Sequence, residues 1–179
     1  MLENVIRFFR NRKLRKFASD LSTGIIPLTE IKTANVVIDV EEPGFDLLKE
    51  DILAWGRTNK VKVNIYFFDF RKLGKDEILL TTIDKTLLRS GLDWMKTPNV
   101  EKIAPLIEEK SDLFLSMIDN GDFPIEFTSK CAKARFKVGR RAFDGHAYDM
   151  VVSGASTEDL RSDSREIFKE FTTFLLKIK

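Results

Sequence analysis

The residues with chemistry to offer lie just beyond short apolar runs. Asp39, Glu41 and Glu42 follow Val36-Val-Ile38; Asp69 and Arg71 follow Ile65-Tyr-Phe-Phe68; and Ser116, Asp119, Asn120 and Asp122 follow or close Leu113-Phe-Leu115. If these runs are parallel strands, the polar residues sit at the carboxyl ends, where open α/β sheets bind ligands. Such carboxylates hold a metal or act as acid and base. A plainer reading competes, because acidic residues after strands are ordinary turn formers and helix caps. A second group, Arg135, Lys137, Arg140 and Arg141 around Gly139, offers guanidiniums to a phosphate or carboxylate. Its plainer reading is that of charged side chains guarding a sheet edge. Asp39, Asp69, Ser116, Asp119, Asn120, Arg140 and Arg141 are the candidate ligand-binding residues.

Other chemistries find less support. A phosphate cradle needs glycines that let backbone N–H groups approach the anion at a helix N-terminus. Glu41-Glu-Pro-Gly44 has one glycine, a proline without an N–H and two negative charges, and Asn120-Gly-Asp122 carries its own capping carboxylate. His146 is the sole histidine and Cys131 the sole cysteine, so there is no intramolecular disulfide, thiolate metal site or multi-histidine centre. His146 reads as a solvated turn residue and Cys131 as a core position. No catalytic residue, cofactor or metal is assigned, and the reading leans away from an enzyme.

The elements that position these residues follow from hydrophobic periodicity. Ala34 to Val40 and Val61 to Asp69 read as buried strands joined by a helix from Phe45 to Arg57, a βαβ unit with a right-handed crossover. Asp112 to Asp119, a helix capped by Asp122 with Pro124 in its first turns, and Arg135 to Val138 form a second strand–helix–strand unit. In that last strand the polar residues are expected to face outward. Between the units, a third strand is expected within Ile78 to Leu88. Trp94 is expected to plug into the body. A helix should run from Asn99 to Lys110, started by Thr97 and Pro98 and kinked or split at Pro105. Tyr148 to Val152 reads as a last strand. Ser156 to Asp159 resembles a capping box, and Leu160, Ile167, Phe168, Phe171, Phe174, Leu175 and Ile178 give the final helix a wide apolar stripe.

Residues 1–19 form a basic amphipathic helix whose apolar stripe shifts midway. Arg7, Arg10, Arg12, Lys13, Arg15 and Lys16 face only Glu3 and Asp20, which gives the first twenty residues +4 in a chain of net +2. The 179-residue chain then divides into this helix, 1–21, and a single α/β domain, 22–179. A near-neutral body argues against a nucleic-acid domain. The arm suits a protein partner, an anionic membrane surface or the chain's own body. No stretch approaches the roughly 20 apolar residues of a membrane span. A cytoplasmic location is expected, peripheral at the inner membrane if the arm meets lipid.

The order of elements from Ala34 to Arg141, with Asp112-Leu-Phe-Leu-Ser-Met-Ile-Asp119, Ala132-Lys-Ala-Arg-Phe-Lys-Val-Gly-Arg140, Gly91-Leu-Asp-Trp94 and Lys96-Thr-Pro98, resembles an uncharacterised bacterial family of unknown function. More distantly, Asp112 to Asp119 and Ala134 to Gly139 are similar to the N-terminal domain of lipopolysaccharide heptosyltransferases. That similarity implies the fold and not the reaction. Glu41-Glu-Pro-Gly44 stands where that family has a Gly-Asp turn, and the second, sugar-nucleotide-binding domain is expected to be absent.

Together these readings give a three-layer Rossmann-like α/β sandwich with a mostly parallel sheet of five or six strands, an N-terminal basic helix and a packed C-terminal helix. The functional expectation is a non-catalytic protein that works through its basic arm. The alternative is a protein or enzyme that binds a phosphorylated or sugar-like ligand at the strand ends.

Overall fold

The computed structural model describes residues 2–72, 74, 79–153 and 163–178. The elements are α1 Leu2–Phe17, β1 Thr33–Asp39, α2 Phe45–Asn59, β2 Lys62–Asp69, β3 Thr86–Leu88, α3 Val100–Glu108, β4 Ser111–Ser116, α4 Phe123–Cys131, β5 Ala134–Gly139, β6 Met150–Val151 and α5 Ser164–Leu175. The strands form one six-stranded sheet in the order β3-β2-β1-β4-β5-β6, and every pairing is parallel. Strand order reverses between β1 and β4. This is a Rossmann-like α/β fold, as its strand and helix patterning predicts.

Alternation along each strand sorts side chains between two cores. Val36, Ile38, Ile65, Phe67, Leu113, Leu115, Phe136 and Val138 pack with Leu48 and Ile52 of α2 and Phe168, Phe171 and Leu175 of α5. Val37, Tyr66, Phe68 and Phe114 pack on the other face with Leu14 of α1, Ile103, Leu106 and Ile107 of α3, and Phe123, Phe127 and Cys131 of α4. The sheet is thus buried on both faces, which is why its strands read as nearly continuous apolar runs. None of the described helices is long and apolar enough to cross a membrane.

Several local expectations are corrected. The third strand does fall within the expected stretch, but it is short, Thr86–Leu88, preceded by a 3-10 turn at Ile83–Lys85 where the Thr86 hydroxyl donates to the Thr82 carbonyl; residue 78 lies outside the described residues. Trp94 is not plugged in but is 68% exposed, and Met95 is buried instead. The cause is a turn: Asp93 Oδ1 accepts the N–H groups of both Met95 and Thr97, and Lys96 takes a positive φ of 58°, which sends Met95 inward and Trp94 outward. Helix α3 is capped by Asn99, whose side chain accepts from Glu101 N–H, so Thr97 and Pro98 precede it, and it runs unsplit through Pro105. Asp122 occupies the N-cap of α4 without a side-chain capping bond; its own N–H is instead tied to Asn120 Oδ1. The capping box at 156–159 and Leu160 lie outside the described residues, and α5 starts at Ser164 on the cap of Asp163.

Strand β5 brings the largest correction. Strict alternation predicts Lys137 outward, yet it is 5% exposed, and its Nζ donates to the Ser129 carbonyl at 3.0 Å. β5 is not the edge, because β6 pairs beyond it. Its charged side chains therefore guard no edge.

Candidate functional site

The switch between β1 and β4 opens into a cleft of about 560 Å³ at the carboxyl ends of the strands, lined by residues that include Asp39, Glu41, Glu42, Asp119, Asn120, Arg140, Asp163 and Arg165. Its size falls within the roughly 300–1,000 Å³ usual for small-molecule sites. One wall is the turn after β1. There Asp39 Oδ1 accepts the Glu41 N–H at 2.8 Å, and Gly44, at a φ of 79°, ends the turn in the left-handed conformation that opens α2. Burial holds the Asp39 carboxyl above the usual carboxylate range, against the pull of the Glu41 N–H and reinforced by the charges of Glu41, Glu42 and Asp69.

The base of the cleft is Arg140, whose side chain is 3% exposed. Its Nη1 donates to Glu42 Oε1 at 3.1 Å and to the Met117 carbonyl at 3.3 Å, and also to Ser164 Oγ. Nη2 lies 3.3 Å from Asp119 Oδ2. One guanidinium thus ties together the end of β5, the turn after β1, the end of β4 and the start of α5. The opposite wall is α5, where Asp163 Oδ1 accepts the Arg165 N–H at 2.9 Å and the Arg165 guanidinium grips Asp51 of α2.

Five carboxylates (Asp39, Glu41, Glu42, Asp119, Asp163) line the cleft against two guanidiniums (Arg140, Arg165), a formal charge of −3. Both helix N-termini facing it, those of α2 and α5, carry the chain's own acidic residues there. The field is therefore hostile to phosphate and hospitable to hydroxyl donors and cations. Among the described residues, no group of three or more His, Cys, Asp or Glu is placed to hold a metal ion.

Of the candidate residues, Asp39, Asp119, Asn120 and Arg140 meet in this cleft; Asp69, Ser116 and Arg141 do not line it. Asp69 is wholly buried at the end of β2, and Arg71 forks onto both its oxygens at 2.8 and 2.6 Å. These bonds hold its pKa below the usual value despite burial. Ser116 is buried on the same strand face as Phe114, beside the Tyr148 hydroxyl. Arg141 is exposed, with its guanidinium over Gly121.

The basic cluster is dispersed. Arg135 sits at the amino end of the sheet, paired with Glu30 and Asp112, and Lys137 lies beneath α4. Gly139 lies against Tyr148, whose ring a Cβ there would meet at 2.3 Å. His146 is exposed and lies 3.2 Å from Asp149, and the Cys131 thiol is buried. Sequence reasoning missed Asp163 and Arg165, which arrive from a helix far along the chain with no local motif to announce them.

Searches of curated proteins and of solved structures find no match. A family model described as a family of unknown function (DUF6913) matches residues 3–174, and the chain belongs to that family.

Proposed function

We propose that the protein binds a small polyhydroxylated ligand, neutral or cationic, in the cleft between β1 and β4. The observation that carries this reading is the coincidence of the topological switch point with a cleft whose carboxylates outnumber its cations. Carboxylates and an Asn side chain accept hydrogen bonds from sugar hydroxyls, and their excess charge attracts an amine. The rigid Arg140 network holds Glu42 and Asp119 in place before a ligand arrives, which lowers the entropy lost on binding. The sign of the cleft favours a sugar-like ligand over a phosphorylated one. Binding, with no covalent step, accounts for the arrangement.

Saturation-transfer NMR with glucosamine, glucose and glucose 6-phosphate tests the reading. Glucosamine is expected to bind most tightly and glucose 6-phosphate least. Asp119→Asn, at a half-exposed position, should weaken glucosamine roughly tenfold by removing one charged acceptor. Preference for the phosphorylated sugar, or glucosamine binding indifferent to Asp119→Asn, overturns the proposal.

A further inference from the structure

The arm is held to the body by only half of its length. Leu14 is buried, Phe17 packs edge-on against Phe127 of α4, Arg10 donates twice to the Met95 carbonyl at 2.9 and 2.7 Å and lies over the Phe123 ring, and Lys13 Nζ meets Asp93 at 2.7 Å. These contacts share one helical line, Arg10, Leu14 and Phe17, with Lys13 beside it. Other residues of α1 turn elsewhere. Val5, Phe9, Arg12 and Lys16 are spaced i, i+4, i+7, i+11, and Phe8, Arg12 and Arg15 run alongside, so all lie on a second, outer face. Each of these, with Leu2, is exposed: Leu2 by 67%, Phe8 by 63%, Phe9 by 40%. The one acidic residue of α1, Glu3, falls by the same spacing on the line of Leu14, away from this face.

The outer face is therefore apolar along its first half and basic along its second, with no carboxylate. Next to α1 stands Trp94, exposed in the loop between Asp93 and Met95, the two residues on which Lys13 and Arg10 close. Exposed Phe and Leu, a flanking Trp and uncompensated Arg and Lys on one convex helix are the composition that seats a helix in a headgroup layer. The positive charge selects a negative surface.

We propose that the outer face of α1, with Trp94 at its side, docks this protein on an anionic lipid surface. The apolar half inserts at the headgroup level, Arg12, Arg15 and Lys16 meet lipid phosphates, and the inner face keeps the domain attached. The proposal is independent of any ligand in the cleft.

Vesicle flotation of the full chain tests it, using phosphatidylcholine alone and phosphatidylcholine with about 30% phosphatidylglycerol. The wild type should bind the anionic vesicles at least roughly tenfold more tightly than the neutral ones, and about 0.5 M NaCl should weaken that binding. Phe8→Ser/Phe9→Ser and Arg12→Glu/Lys16→Glu alter only exposed positions and should each cost roughly tenfold while leaving the thermal unfolding midpoint unchanged. Tryptophan emission should shift to the blue on binding in the wild type, a shift much reduced in Trp94→Phe. Equal recovery on both vesicles, no recovery on either, or binding unchanged in the two double variants overturns the proposal. So does a concentration-dependent oligomer, seen by light scattering, that Phe8→Ser/Phe9→Ser dissolves in the absence of lipid affinity, since the face would then serve a protein contact.

Discussion

Replacing Arg140 by Met removes a buried guanidinium and leaves a side chain of similar length. Glu42, partly buried, loses its cation, Asp119 loses a weaker one, and the Met117 carbonyl loses a donor. Breaking a fully buried ion pair from one side costs about 3–5 kcal/mol. Here water reaches Asp119, half exposed, and part of Glu42, so the expected loss is about 2–3 kcal/mol. With a urea slope of about 2 kcal/mol per M, the unfolding midpoint should fall by about 1–1.5 M. The double variant Glu42→Gln/Arg140→Met removes both charges of the closest pair and should recover more than half of that loss, because most of the penalty is a stranded carboxylate rather than a lost attraction. Urea unfolding followed by circular dichroism measures both. A single-variant shift below about 0.3 M, or a double variant no more stable than the single, would refute the view that Arg140 organises the cleft.

Burial pushes the Lys137 ammonium down to about 8, below its value in the unfolded chain, so the folded state binds fewer protons between about pH 8 and 10.5. The stability of the wild type relative to Lys137→Met should therefore rise across that window, by an amount on the order of 3 kcal/mol; a flat difference in pH-resolved urea titrations contradicts the buried assignment. Burial pushes the Cys131 thiol up to about 12, so an aromatic disulfide reagent at pH 8 should label it only as fast as the chain opens, and stoichiometric labelling of the folded protein within seconds would place it at the surface. Gly139→Ala drives a methyl into the Tyr148 ring and should cost about 1–3 kcal/mol, most of it relieved by Tyr148→Ala in the same chain; a neutral Gly139→Ala would show that the ring moves aside freely.

Local patterns predicted the two strand–helix–strand units because β1, β4 and their neighbours are buried on both faces, and such burial writes itself into the sequence as runs of Val, Ile, Leu and Phe. Arg140 came from the basic cluster around Gly139, while the rule that ligands gather beyond strand ends selected Asp39, Glu41, Glu42, Asp119 and Asn120. That rule also selected Asp69 and Ser116, since it takes no account of which face a side chain leaves by: Asp69 turns onto Arg71, and Ser116 follows Phe114 under α4. The outward placing of Lys137 and the reading of the Arg135–Arg141 charges as edge guards share one cause. A strand's alternation gives its two faces but not its place in the sheet, and the short β6, two residues long, converts an apparent edge into an interior. The burial of Arg140 and the arrival of Asp163 and Arg165 are set by contacts more than twenty residues apart in the chain, which no local pattern records. At Trp94 the misreading came from valuing size over turn geometry, because the Asp93 hydrogen bonds decide which neighbour enters the core.

The central claim is that the switch between β1 and β4 is where this chain meets its ligand. Amide chemical-shift mapping of the full chain during a glucosamine titration tests it most directly. The account predicts shifts concentrated at Glu41, Gly44, Leu47, Asn120, Arg140 and Arg165, saturable and much reduced in Asp119→Asn. Shifts confined to other surfaces, or none at any of these amides at saturating glucosamine, would contradict it.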